Sequence, residues 1–319
     1  MVQTKKISQW VVLGTGGTIA GTAAAASDHT GYTAAQLGVV QLLSALPGIE
    51  QALAGDRLEV EQVAQLDSKD MDHTTWQALA LRCQHWLAQS EVGGIVVTHG
   101  TDTLEETAWF LQQVLHSHKP VVLTCAMRPA TALAPDGPQN LLDALTVVRD
   151  PEAQGVLLVC AGRIHSARDV QKVHPYRLDA FSSGEAGPLG WVEQAQVRWS
   201  RPCIAAEPHP HAQQALTQAA ADWPWVDVLH SHAGADARRV RALVAAGVKG
   251  LVVAGTGNGT LHQSLLTPLS EAQAQGVTVR LVTRCAEGQI VGQPAALPLA
   301  PLGLNAYKAR VSLVLDLMK

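Results

Sequence analysis

Short apolar runs that end in turns of glycine and hydroxyl residues, each followed by a helical pattern, recur along this chain and leave it few folds. The first is Val11-Val12-Leu13-Gly14-Thr15-Gly16-Gly17-Thr18-Ile19-Ala20-Gly21. Ile95-Val96-Val97-Thr98 ends in His99-Gly100-Thr101-Asp102-Thr103, where a helix begins at once. Further strands read at 58–66, 120–125 and 156–160, separated by helices at 33–46, 74–89 and 138–149. Strands that alternate with helices pair in parallel, which predicts an α/β protein with a larger, doubly wound, mainly parallel N-terminal sheet. All strand C-termini then share one edge, and that edge is where such sheets bind ligands.

The alternation lapses over 161–190, which reads as irregular and polar. It resumes in a smaller α/β set with strands at 226–229, 250–254 and 277–282 and helices near 236–247, 261–275 and 304–318. The division expected is a catalytic domain over 1–200, a Pro- and His-containing linker over 201–223 and a second domain over 224–319. Residues 22–32 lack an amphipathic period and read as a mobile lid beside the first turn, carrying Tyr32.

Composition removes several functions. The 319 residues are 47% hydrophobic, enough to bury a large core, and the net charge of −4 includes no basic stripe, which argues against nucleic acid. No apolar run is long enough to span a membrane. Lys5 and Lys6 lead directly into a strand with no intervening apolar region, unlike a secretory signal. The five cysteines (83, 125, 160, 203 and 285) are scattered and read as free thiols of a reducing, cytoplasmic compartment.

The turn at 14–21 fits neither phosphate-binding signature. From Gly14 the dinucleotide spacing puts Ile19 at the third glycine, and no Gly-Lys pair follows to make a phosphate loop. Glycines there allow positive φ and a close ligand approach. The strand-end edge instead collects Thr18, Ser68, Thr101, Asp102 and Ala126, with Lys172 further on. Two hydroxyls, a carboxylate and a lysine supply a nucleophile, an activator and a grip on a charged substrate. Asp102 opens a helix, whose N-terminal dipole favours the ionised form that holds an ammonium group; a plain helix cap is the other use of that position. Thr103 and Glu106 have capping-box spacing. His-x-His pairs stand at 116/118, 209/211 and 230/232, none with a third ligand close in sequence, so no metal is expected.

Thr15-Gly16-Gly17-Thr18-Ile19-Ala20-Gly21 and Thr98-His99-Gly100-Thr101-Asp102-Thr103 together resemble the two signature motifs of bacterial-type L-asparaginases. Echoes continue through Ala126-Met127-Arg128-Pro129, Asp136-Gly137-Pro138-x-Asn140-Leu141, Arg168-Asp169-Val170-x-Lys172, Gly187-Pro188-Leu189-Gly190 and Gly257-Asn258-Gly259, covering nearly the whole chain. The resemblance implies hydrolysis of L-asparagine to L-aspartate and ammonia without metal or cofactor. It implies that Thr18 attacks the side-chain amide to form an acyl-enzyme and that Tyr32, on the lid, assists. It also makes Thr101, Asp102 and Lys172 a second triad, with Asp102 on the substrate α-amino group and Ser68 on the α-carboxylate. The Ala126 carbonyl then holds the side-chain amide. A homotetramer built as a dimer of dimers is implied, in which Asn258 completes a neighbour's site.

Two routes for the Thr18 proton stay open: Tyr32 through water, or Lys172 through Thr101. Lys69 follows Ser68 where many members carry Gln, so it could pair with the α-carboxylate or crowd the pocket. Glu287 is the candidate for an acid donated by a partner subunit. Only Cys83 matches one half of the cysteine pair that bridges some secreted members, and His118 lies near the other half, which again suits a cytoplasmic form. The competing readings are an amidase on another small amide such as glutamine, an ammonia supplier to a tRNA-modifying complex, and a catalytically silent amino-acid-binding protein.

Overall fold

The computed structural model describes residues 8–203, 205, 208–292, 297–301 and 303–318. The chain divides into two compact units, Met1–Pro208 and His209–Lys319. That division falls inside the 201–223 segment expected as linker, whose later half holds helix Ala212–Thr217 and a 3-10 turn at Ala220–Asp222.

The first unit contains strands β1 (Gln9–Gly16), β2 (Arg57–Leu66), β3 (Val92–Thr98), β4 (Val121–Thr124), β5 (Val156–Cys160), β6 (Arg163–Ser166), β7 (Gln171–Lys172), β8 (Phe181–Ser182), β9 (Gly190–Glu193) and β10 (Gln196–Trp199). Its helices are α1 (Val39–Ser44), α2 (Ile49–Leu53), α3 (His73–Leu87), α4 (Leu104–Val114) and α5 (Gly137–Val148). Eight strands form one sheet in the order β10-β9-β6-β5-β4-β3-β1-β2. The five from β5 to β2 run parallel, and β6, β9 and β10 extend the sheet antiparallel.

Sequence explains the order. β3 and β4 are apolar and buried on both faces, as central parallel strands must be, whereas β2 alternates apolar with charged residues and sits at the edge. Under one face, Trp10, Val12, Val96 and Val122 pack with Leu141, Leu145 and Val148 of α5 and Leu157 and Val159 of β5. Truncating a buried leucine such as Leu145 to alanine there would cost about 2–5 kcal/mol.

The second unit is a parallel sheet of β11 (Val226–His230), β12 (Gly250–Gly255) and β13 (Thr278–Thr283), in that order. Its helices are α6 (Ala212–Thr217), α7 (Ala237–Ala245), α8 (Gln263–Ala274) and α9 (Ala306–Asp316). Fully buried β12 is the centre, and a Cβ on Gly250 would come within 2.9 Å of Leu313 on α9.

Several local expectations change. The helix over 33–46 is confined to α1, because Ala35 takes φ 55° and Gly38 is extended. The 161–190 stretch is not irregular: it supplies β6 to β8 and leads into β9, strands too short and too polar to show a period. Lys172 accordingly lies in a two-stranded ribbon, Lys172 opposite Phe181, rather than in a loop. Thr103 precedes α4, but its hydroxyl makes no capping bond; it donates to the Ser68 carbonyl at 2.8 Å instead. Among the described residues no helix is long and apolar enough to cross a membrane.

Candidate active site

Three loops at the carboxyl edge of the large sheet converge on a point where no side chain fits. Gly17 has φ 82° and ψ −172°, a region essentially reserved for glycine, and a Cβ there would run into Cα and N of Gly100. A Cβ on Gly100 would come within 2.7 Å of the Ser68 Cβ and 3.1 Å of the Gly17 Cα. The turns after β1, β2 and β3 therefore pack backbone to backbone, which brings Thr18, Ser68 and Thr101-Asp102 together from distant sequence positions. Gly14 is needed for a different reason: its φ is not positive, but a Cβ would lie 2.7 Å from that of Val39.

Thr18 opens a buried 3-10 turn, Thr18–Ala20, and its Oγ1 lies 2.6 Å from the Tyr32 hydroxyl. The lid carrying Tyr32 is anchored at several points. Thr22 and Thr33 bridge its base, Ala23 N donates to Thr131 Oγ1 at 2.8 Å, and Leu133 N donates to Ala26 O at 3.0 Å. Asp28 accepts from Thr30 N and Gly31 N and so shapes the lid tip; these bonds, Gly31 first, hold its carboxyl below the usual range.

The second cluster forms around Lys172. Its Nζ donates to Thr101 Oγ1 at 2.8 Å and to Asp102 Oδ1 at 2.7 Å, and Asp102 N donates to Ser68 Oγ at 3.1 Å. Lys172 is mostly buried, whereas the Asp102 side chain is 53% exposed and open to an incoming cation. Ala126, just beyond β4, packs its methyl with Ile19 and Ala20, next to Thr18.

Lys69 and Asn258, also named from the sequence, make contacts of their own. The exposed Lys69 ammonium, next in sequence to buried Ser68, is held by Asp67 at 2.8 Å and Asp70 at 3.2 Å on its own turn. Asn258 belongs to the second unit, where its side-chain amide exchanges two 2.8 Å hydrogen bonds with the backbone of Val291. Glu287 is exposed in that unit. Among the described residues no three His, Cys, Asp or Glu side chains are grouped to hold a metal.

Sequence reading missed the residues that support this cluster. Glu105, buried in the first turn of α4, accepts from Lys172 N at 2.5 Å, joining the Thr101-Asp102 loop to the Lys172 strand. His99 is fully buried and its proton can be placed by elimination. The Trp76 indole is a donor only and gives its N–H to Thr107 Oγ1 at 2.8 Å. The Thr107 hydroxyl then donates to His99 Nε2 at 3.0 Å, which leaves His99 Nδ1–H to donate to Gly100 O at 2.6 Å. Burial without an acidic partner pushes the His99 pKa down to about 4, so this ring stays neutral. Trp76 on α3 and Thr107 on α4 stand 31 positions apart, and nothing in the sequence marks them as one network.

Fold and site define a two-domain α/β protein with a threonine–tyrosine pair and a lysine–aspartate–threonine cluster at one sheet edge. A family model described as "Asparaginase, N-terminal" matches residues 9–205, and one described as "Glutaminase/Asparaginase C-terminal domain" matches residues 225–318. The chain belongs to the asparaginase–glutaminase family. It is 35% identical to the "Glutaminase-asparaginase" of Pseudomonas fluorescens biotype A, over 100% of this chain and 89% of that protein. It is 38% identical to the "L-asparaginase 2" of Bacillus subtilis, over 97% of this chain and 82% of the relative. The crystal structure of a probable cytoplasmic L-asparaginase from Campylobacter jejuni superposes with a TM-score of 0.89 at 36% identity, covering 98% of this chain and 95% of the other.

Proposed function

We propose that this protein is an amidohydrolase that converts L-asparagine to L-aspartate and ammonia, with some activity on L-glutamine. Relatives named L-asparaginase and glutaminase-asparaginase along nearly the full chain support the reaction. The observation that carries the mechanism is the 2.6 Å contact between Thr18 Oγ1 and the Tyr32 hydroxyl. It is within the range a nucleophile and its proton acceptor need.

Thr18 attacks the side-chain carbonyl carbon. Its proton passes to the Tyr32 oxygen while Tyr32 delivers a proton to the departing nitrogen. The net transfer is one proton from Thr18 to the amide nitrogen, which leaves as ammonia and leaves an aspartyl ester on Thr18. Water then repeats the sequence and frees the hydroxyl. The routes open in the sequence are Tyr32 through water or Lys172 through Thr101; the direct Thr18–Tyr32 contact supports Tyr32 acting without an intervening water. Lys172 serves as a donor to Thr101 and Asp102, stabilising that half of the site. The exposed Asp102 side chain suits the substrate α-ammonium, and Ser68 lies beside it for the α-carboxylate.

We read the active form as a cytoplasmic homotetramer, a dimer of dimers in which Asn258 and an acid such as Glu287 approach a neighbour's site. The absence of a basic stripe disfavours the tRNA-linked role. The first test is ammonia release from L-asparagine and L-glutamine measured side by side. Turnover of asparagine supports the reading. No ammonia from either amide, with aspartate still raising the melting temperature, would replace it with an amino-acid-binding protein.

A further inference from the structure

The segment Asp136-Gly137-Pro138-Gln139-Asn140 has no part in the reaction described above, yet it holds the chain on both sides of Ala126. Asp136 uses both carboxylate oxygens on consecutive backbone amides: Oδ2 accepts from Met127 N and Oδ1 from Arg128 N, each at 2.9 Å. One helical turn later, buried Asn140 donates from Nδ2 to Cys125 O at 3.0 Å and to Asp136 Oδ2 at 3.2 Å. Its Oδ1 accepts from Ala161 N at 3.0 Å, where the chain leaves β5 with φ 50° at Ala161. The pair thus ties together the ends of neighbouring strands β4 and β5.

The peptide between Ala126 and Met127 is trans and planar, so its C=O and N–H point in opposite directions. Fixing Met127 N–H on Asp136 therefore fixes the direction of the Ala126 carbonyl. Fixing the Cys125 carbonyl on Asn140 sets the preceding peptide plane, so both planes flanking Ala126 are determined. The Ala126 methyl meanwhile rests against Ile19 and Ala20, which sets the distance to the Thr18 turn. Gly137 keeps this approach open: a Cβ there would lie 2.8 Å from Ile19 Cγ1 and 3.4 Å from Ala126 Cβ.

We propose that Asp136 and Asn140 are positioning residues that aim the Ala126 carbonyl at the N–H of the scissile side-chain amide. This rests on the amidohydrolase reading above. The carboxylate suits the task because two charge-assisted bonds to adjacent N–H groups define a plane, which one neutral acceptor does not. The carbonyl discriminates by chemistry: an amide nitrogen donates to it, and the carboxylate of the product aspartate has no hydrogen to give.

The test is Asp136→Asn in the full chain. Its side-chain amide keeps one acceptor and turns an NH2 toward the other backbone N–H. Three quantities are read: kcat/KM for L-asparagine, the inhibition constant of L-aspartate, and hydrogen exchange at the Met127 amide. The expected result is a fall in kcat/KM of on the order of tenfold to a hundredfold, as for a reacting group displaced by a fraction of an ångström to an ångström. Aspartate inhibition stays within about twofold, because Ser68 and Asp102 are untouched, and Met127 protection drops. Unchanged kcat/KM, or aspartate inhibition weakening in step with it, overturns the proposal. If Asp136→Asn does not fold, a Met127 amide in the wild-type protein that exchanges as fast as an open loop overturns it too. A wild type that releases no ammonia refutes the amidohydrolase reading itself, while the exchange measurement still reports on the Asp136 clamp.

Discussion

Replacing Gly17 by alanine tests whether backbone contact between the first and third strand-end loops builds the site. Two penalties add. Gly17 sits at φ 82° and ψ −172°, where an L-residue costs about 1–3 kcal/mol. Its new Cβ would meet Cα and N of Gly100, and backbone atoms cannot rotate aside, so overpacking adds about 1–3 kcal/mol. Reduced freedom of the unfolded chain returns about 0.4–1 kcal/mol, leaving a net loss of about 1–5.6 kcal/mol. Gly55 is the control. It has φ 86°, and nothing lies within 4 Å of a Cβ there, so Gly55→Ala carries the conformational cost alone, a net of about 0–1.5 kcal/mol. Urea unfolding of both variants gives the stability difference. Ammonia release gives the geometric one: relief of the clash moves Thr18 away from Thr101, and an ångström of displacement is worth about 10²-fold in rate. A Gly17→Ala protein as stable as Gly55→Ala and fully active would refute the packing argument.

Tyr32→Phe removes the partner 2.6 Å from Thr18 and is expected to lower kcat by about 10²–10⁴ with little change in KM, read from initial rates. His99 stays neutral with a pKa of about 4, against 6.5 for an unperturbed imidazole. The unfolded chain binds the extra proton first, so stability is lost as pH falls from about 6.5 toward 4, by about 3 kcal/mol in all. Urea midpoints between pH 7 and pH 4.5 should show that slope in the wild type and a shallower one in His99→Gln. Lys69→Gln should leave the melting temperature and the KM for asparagine essentially unchanged, because the ammonium is engaged by Asp67 and Asp70 on an exposed turn. A large rise in KM would show that Lys69 leaves these carboxylates to meet substrate.

The parallel core was legible because β1, β3, β4, β5 and β12 are continuous apolar runs that only a strand buried on both faces requires. The catalytic candidates were legible because a parallel sheet gathers strand ends on one edge whatever their spacing in sequence. The antiparallel extension β6, β9 and β10 was not, since four-residue strands such as Arg163–Ser166 and Gln196–Trp199 carry no readable period, and neither was the ribbon strand Gln171–Lys172. Supporting residues were hidden for another reason. Glu105 has the composition of an ordinary helix first turn, and its bond to Lys172 N spans 67 positions. Asp136 and Asn140 stood out as a motif, but only three-dimensional placement shows that their partners are the peptides around Ala126. Thr103 shows the converse: a capping pattern present in sequence whose hydroxyl goes to Ser68 instead.

The most direct test of Thr18 as nucleophile is rapid acid quench of the protein with L-asparagine, followed by peptide mass mapping, in parallel with ammonia release from Thr18→Ala. The expected result is an aspartyl adduct on the peptide containing Thr18, absent from Thr18→Ala, with ammonia release from that variant reduced on the order of 10⁴-fold while aspartate still binds. An adduct on the peptide containing Thr101, or near-full activity in Thr18→Ala, would contradict it and move the nucleophile to the second cluster.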